Sequence, residues 1–96
     1  MFTHLVLFKL KDPTSANLHQ TRDLLLSMQG QVPQLRFIEV GLNSLPSDRA
    51  YDLALLTRFD TLDDMRAYQV HPYHKDVVLP HMHAVVQNTV SVDYDA

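Results

Sequence analysis

The chemistry-bearing residues of this chain gather near its C-terminal end. Four of its six histidines fall between His71 and His83, preceded by Tyr68 in the run Tyr68-Gln-Val-His71-Pro72-Tyr73-His74. Proline favours the first helical position, so the chain should turn into a helix at Pro72 and carry His74 in its first turn. A ring there feels the positive end of the helix dipole, which disfavours its protonated form. A neutral imidazole can take a proton from an acidic carbon, and a pKa near the operating pH suits that work. Tyr68, six residues earlier at the end of the preceding helix, can donate its hydroxyl to a carbonyl that becomes an enolate. His4 lies far away in sequence, on a strand face shared with Phe2, Val6 and Phe8, where an ionised ring is expensive without a partner. The expectation is that His74, Tyr68 and His4 line one cavity as base, oxyanion donor and supporting group. A quieter reading competes with it. His71-Pro72 stops one helix and starts another, with His71 bonding a free backbone amide. In that reading His74 pins the corner, Tyr68 is core with its hydroxyl at the rim, and His4 is a satisfied core histidine.

Other chemistries find less support. His71 and His74 are three apart, and His81, His83 and Asp76 are near, but there is no His-Glu-x-x-His pattern, so no metal site is expected. His81 and His83 are expected to lie exposed on a helix kinked at Pro80. Gly30 and Gly41 are the only glycines, too few for a phosphate-cradling loop, and no cofactor is expected. Ser27, Ser44, Ser47 and Ser91 sit in no nucleophile-elbow context. Arg49 and Arg58 read as solvated strand-end charges.

The elements that must position these residues follow from periodicity. Phe2 to Leu10 alternates with a period of two, the mark of a strand. Asp12-Pro13 breaks it, and Thr14 or Ser15 can cap a helix running to about Gln29, with Leu18, Leu25 and Met28 on one stripe. Gly30 is a natural stop. Leu35 to Leu42 reads as a second strand, the Asn43–Arg49 stretch as a turn, and Tyr51 to Phe59 as a third strand. Thr61 caps a second helix, supported by Asp63 and Asp64 in its first turn, that gives out near Val70. Pro72 opens a further helical stretch, interrupted at Pro80, and Thr89 to Tyr94 closes the pattern as a fourth strand. The order strand, helix, strand, strand, helix, strand is the split-βαβ, ferredoxin-like α+β arrangement, a four-stranded antiparallel sheet with helices on one face.

Ninety-six residues make one domain, 1–96, and 46% hydrophobic with 20% charged residues reads as globular. Eight Lys plus Arg against eleven Asp plus Glu give a charge of −3, which with no basic cluster argues against a nucleic-acid partner. No apolar run approaches the roughly 20 residues that span a bilayer, and the start lacks the marks of a signal peptide. Zero cysteines fit a reducing compartment, so a cytoplasmic location is expected.

A sheet covered on one side should be polar on the other. This one is not. Leu5 and Leu7 oppose Val6 and Phe8 on the first strand, and Ala54 and Leu56 oppose Leu53 and Leu55 on the third. Burying four such side chains is worth roughly 6–12 kcal/mol at about 1.5–3 each, comparable with the whole stability of a domain. No third layer remains in the chain, so a second copy of the sheet is the simplest cover, and a homodimer is expected.

With these blocks in view, the sequence resembles the dimeric stress-responsive A/B-barrel (Dabb) family. The matching segments are His4-Leu-Val-Leu-Phe-Lys9, Ile38-Glu-Val-Gly41 with Asn43, Tyr51-Asp52 leading to Phe59, Tyr68-Gln-Val-His71-Pro72-Tyr73-His74, and Val92-Asp93-Tyr94. The resemblance implies a homodimer whose two sheets pack face to face as an α+β barrel, and for many members no assigned role. A plant branch includes a polyketide cyclase performing an aldol-type ring closure with a Tyr and a His in this segment. That likeness carries over to Tyr68 and His74, with His4 in support, and departs at Leu53, where cyclase-like sequences place a histidine. Three functions are therefore expected in order. The first is a homodimer with a small pocket for an apolar or aromatic ligand. The second is a cofactor-independent lyase or cyclase of polyketide-like substrates. The third is a cofactor-free monooxygenase, which the superfamily includes but no residue here selects.

Overall fold

The computed structural model describes residues 1–96. Alternating apolar side chains drive Phe2–Leu10 into strand β1. Helix α1, Ser15–Leu26, starts where the Thr14 hydroxyl accepts the Asn17 N–H at 3.2 Å, satisfying one of the free donors of the first turn. It ends three residues before the expected Gln29. Beyond Leu26 the amides of Met28 and Gln29 turn back to carbonyls three residues earlier, and Gly30 at φ 85° terminates the run.

Strand β2 covers Phe37–Leu42, β3 Leu53–Phe59 and β4 Val86–Asp95. All three starts differ from the sequence expectation, those of β2 and β3 for local reasons. Leu35 is held in a turn by its N–H to Val32 O at 3.2 Å. Asp52 is a cap rather than a strand residue: its carboxylate accepts the Leu10 N–H at 2.8 Å and its own N–H donates to Phe8 O at 2.8 Å. Helix α2, Leu62–Val70, begins at Thr61, whose hydroxyl accepts the Asp64 N–H at 3.1 Å, with Asp63 and Asp64 in the first turn.

Between Tyr73 and Val78 the backbone widens into a π-helical turn before α3, Leu79–Val85. Proline 80 supplies the reason. It lacks an N–H and crowds the preceding turn, and the wider winding, with the Leu79 N–H reaching His74 O, carries the chain past it without a break. The last turn of α3 then flows directly into β4, so that strand starts at Val86 rather than Thr89.

The sheet order is β2-β3-β1-β4, antiparallel throughout. This is the ferredoxin-like α+β fold. The helices cover one face, where Val6, Leu55, Phe59, Leu25, Met28 and Val78 form the centre of the core. On the other face the register aligns Leu5 with Leu56 and Val92, and Leu7 with Ala54 and Val90. Leu5, Leu7, Ala54 and Leu56 are half-buried by their neighbours, whereas Val90 and Val92 are exposed at 44% and 50%. The second apolar face thus exists as expected, and nothing within the chain covers it.

Candidate functional site

A cavity of about 160 Å³ lies between the helix-covered face of the sheet and the C-terminal helices. His4 from β1, Tyr68 from α2 and His74 from the π-turn all line it, among apolar walls that include Val6, Leu55, Leu79 and Met82. Strand, helix end and helix start therefore deliver the three side chains to one place.

The tautomers are set by neighbours. His74 Nδ1 stands 3.0 Å from the Gln69 carbonyl oxygen, which can only accept, so Nδ1 carries the proton and Nε2 keeps its lone pair. Burial pushes the His74 pKa below its usual 6.5, the backbone bond to Gln69 opposes this, and the nearby His4 and His71 add to the lowering. The ring is therefore neutral near pH 7. Sequence reasoning looked to the helix dipole for this effect, but desolvation leads, because the ring is packed against Tyr68 with centroids 4.6 Å apart.

Tyr68 is 1% exposed and packs its ring on Phe59 at 5.0 Å. Its burial raises the phenol pKa well above the usual 10, which keeps it a proton donor. No hydrogen bond inside the chain engages its hydroxyl. His4 is partnered: its Nδ1 bonds the Asp93 carboxylate across the β1–β4 pair, so its proton also sits on Nδ1 and its Nε2 is unprotonated when the ring is neutral.

Two of the remaining histidines, His71 and His81, have structural work. His71 Nδ1 accepts the Tyr73 N–H at 3.1 Å, bonding a free amide at the corner. His81 differs from expectation. It is half-buried, and its Nε2 lies 3.0 Å from the hydroxyl of the fully buried Thr21, tying α3 to α1. His19 and His83 are exposed. No group of three or more His, Asp or Glu side chains is placed to hold a metal ion, and no helix is long and apolar enough to cross a membrane.

Residues 2–96 match the family model of the stress-responsive A/B barrel domain. The chain belongs to that family. An uncharacterized protein of Streptomyces coelicolor is 33% identical over 78 residues, covering 78% of this chain and 80% of its own length. Among solved structures, a dimeric protein of unknown function with a ferredoxin-like fold from Bacteroides fragilis is 28% identical, with a TM-score of 0.83 over 99% of this chain and 95% of that one. A dimeric ferredoxin-like protein of unknown function from Thermobifida fusca is 26% identical, with a TM-score of 0.85 over 99% and 90%.

In this A/B barrel protein the sequence missed Asp93 and the Gln69 carbonyl. Asp93 had a legible signal. Val90, Val92 and Tyr94 alternate on one face of the last strand, which sends Ser91 and Asp93 to the other face, and an acid there needs a partner. The Gln69 carbonyl had none, since a backbone acceptor is invisible in side-chain pattern.

Proposed function

We propose that this A/B barrel protein works as a homodimer joined through the open sheet face. Each protomer would bind a small carbonyl compound in the cavity and perform cofactor-independent acid–base chemistry of the lyase or cyclase type. One observation carries the reading. A neutral, half-buried imidazole with its Nδ1 already committed lines the same small cavity as a phenol with no partner in the chain. In this scheme Nε2 of His74 removes a proton from the carbon beside a carbonyl. The Tyr68 hydroxyl donates to the oxygen that becomes an enolate, and the Asp93-oriented His4 holds or returns a proton.

Size constrains the substrate. An apolar cavity of about 150 Å³ accommodates benzene, so the enclosed space takes a reacting head of roughly that bulk. An open groove of about 450 Å³ shares Phe8, Leu79 and Met82 with the cavity wall, which favours a polyketide-like chain whose remainder rests outside. The absence of cysteine suits a cytoplasmic place of work.

The test uses purified protein in deuterated buffer with a panel of small ketones, aldehydes and linear poly-β-keto thioesters. Deuterium uptake and ring closure are followed by NMR. Acceleration by the wild type, lost in His74→Ala, is the expected outcome. A folded wild-type protein that leaves every rate at the buffer value sinks the catalytic reading. A ligand-binding module without catalysis is the second reading, favoured by the corner-pinning bonds of His71 and His74, and saturable binding with no rate change would select it.

A further inference from the structure

The open sheet face carries a regular grid of side chains. From β2 through β3 and β1 to β4, its rows read Phe37–Arg58–Thr3–Tyr94, Glu39–Leu56–Leu5–Val92 and Gly41–Ala54–Leu7–Val90, and Lys9 with Asn88 begins a fourth. Three of these strand positions are charged: Glu39, Arg58 and Lys9. None of the three has an ion-pair partner in the chain. Arg58 lies over the Phe37 ring at 5.2 Å and Lys9 over the Tyr51 ring at 5.1 Å, so both cations rest on aromatic faces while Glu39 stands exposed and alone.

An unpaired acid on an otherwise apolar and basic surface is costly to cover, unless the covering surface brings a base. A second copy of the same face brings two. Neighbouring strands are about 4.8 Å apart, and same-face residues along a strand about 6.8 Å apart. Glu39 therefore sits roughly 7 Å from the centre of the face across the strands and roughly 3 Å along them. Two sheets crossing at near right angles exchange these two offsets. With the two-fold axis in the plane between the sheets, Glu39 then lands over β3 between Leu56 and Arg58, or over β1 between Leu7 and Lys9. Both diagonals bring it to a base. A parallel or perpendicular axis would instead set it over Val92 or Gly41.

We infer that Glu39 of each protomer pairs with Arg58 or Lys9 of the other, fixing an orthogonal register of the two sheets. The inference rests on the homodimer reading. It adds the ion pair that holds the two sheets in register, since apolar side chains alone do not specify how two greasy faces are turned.

Sedimentation velocity on the full chain separates the two claims. A monomeric wild type would end the homodimer reading itself. Given a wild-type dimer, Glu39→Lys sets like charges opposite one another and should weaken dimerisation by roughly tenfold or more. Adding Arg58→Glu or Lys9→Glu to that variant should restore most of the loss, and whichever one rescues identifies the diagonal. A dimer that Glu39→Lys leaves intact, or that neither second change rescues while circular dichroism shows the fold retained, overturns the pairing.

Discussion

The two faces of this sheet are built from the same strands with nearly the same hydrophobicity, yet they meet different fates. The helix-facing side of β1 presents Phe2, His4, Val6, Phe8 and Leu10, and its neighbours bury all but His4 almost completely. The opposite side presents Leu5 and Leu7, which stay half-buried, beside Val90 and Val92, which stay exposed. Apolar content therefore does not distinguish them. What distinguishes them is polar placement. On the covered side polar groups around the cavity are tied to partners: His4 with Asp93, Thr57 with the His4 carbonyl, His81 with Thr21. On the open side the charged groups have no ion-pair partner in the chain. A satisfied polar set inside a small cavity suits chemistry, and an unsatisfied one on a greasy surface suits association.

The sharpest way to break this contrast is the same substitution on adjacent residues. Val6→Asp buries an uncompensated carboxylate in the core and should cost about 3–5 kcal/mol, enough to unfold most of the population. Leu7→Asp, one residue on, should leave the fold intact by circular dichroism and shift sedimentation from dimer to monomer. Equal loss of structure in both variants would erase the distinction between the faces.

A smaller effect is expected within the covered side. His74→Ala should lower any proton-abstraction rate by about 10²–10⁴-fold while costing only about 1 kcal/mol for the lost bond to Gln69. Thermal melts and rate measurements on the same preparation check both numbers. A large stability loss with no rate effect would return His74 to a purely structural role.

Next comes the pH dependence of stability. The His74 pKa is lowered in the fold below its ordinary 6.5. Beneath 6.5 the unfolded chain therefore binds more protons than the folded one, and the His74 contribution to stability declines as pH falls through that window. Urea melts at about pH 5 and 7 should show wild type losing stability on acidification, and His74→Ala losing less. A His74 ring titrating at or above 6.5 by NMR contradicts this. Smallest is Thr21→Val. It removes the hydroxyl that ties α1 to α3 and should cost about 1 kcal/mol, by melting, without changing assembly.

Much of the architecture was legible because it is local. Element order follows from period-two runs, from the Thr14 and Thr61 caps, and from prolines that cannot continue a helix. The two-faced β1 and β3 are visible from alternation alone, and the block around His71 and Pro72 marks the corner where two helices meet. Errors fall at the ends of elements. There a single backbone bond decides the outcome, such as Leu35 to Val32 or Asp52 to Phe8, and residue type carries little of that information.

Sequence by itself determined the alternation, the caps and the breakers, since these depend on steric and hydrogen-bond preferences acting within a few residues. Tertiary structure alone decided which Nδ1 atoms are occupied and which imidazole is desolvated. It also brought Asp93, 89 positions away, to face His4. Those outcomes depend on strand register and on how far helix packing excludes water. Register is a long-range choice in which a one-residue slip would send every side chain of β4 to the other face.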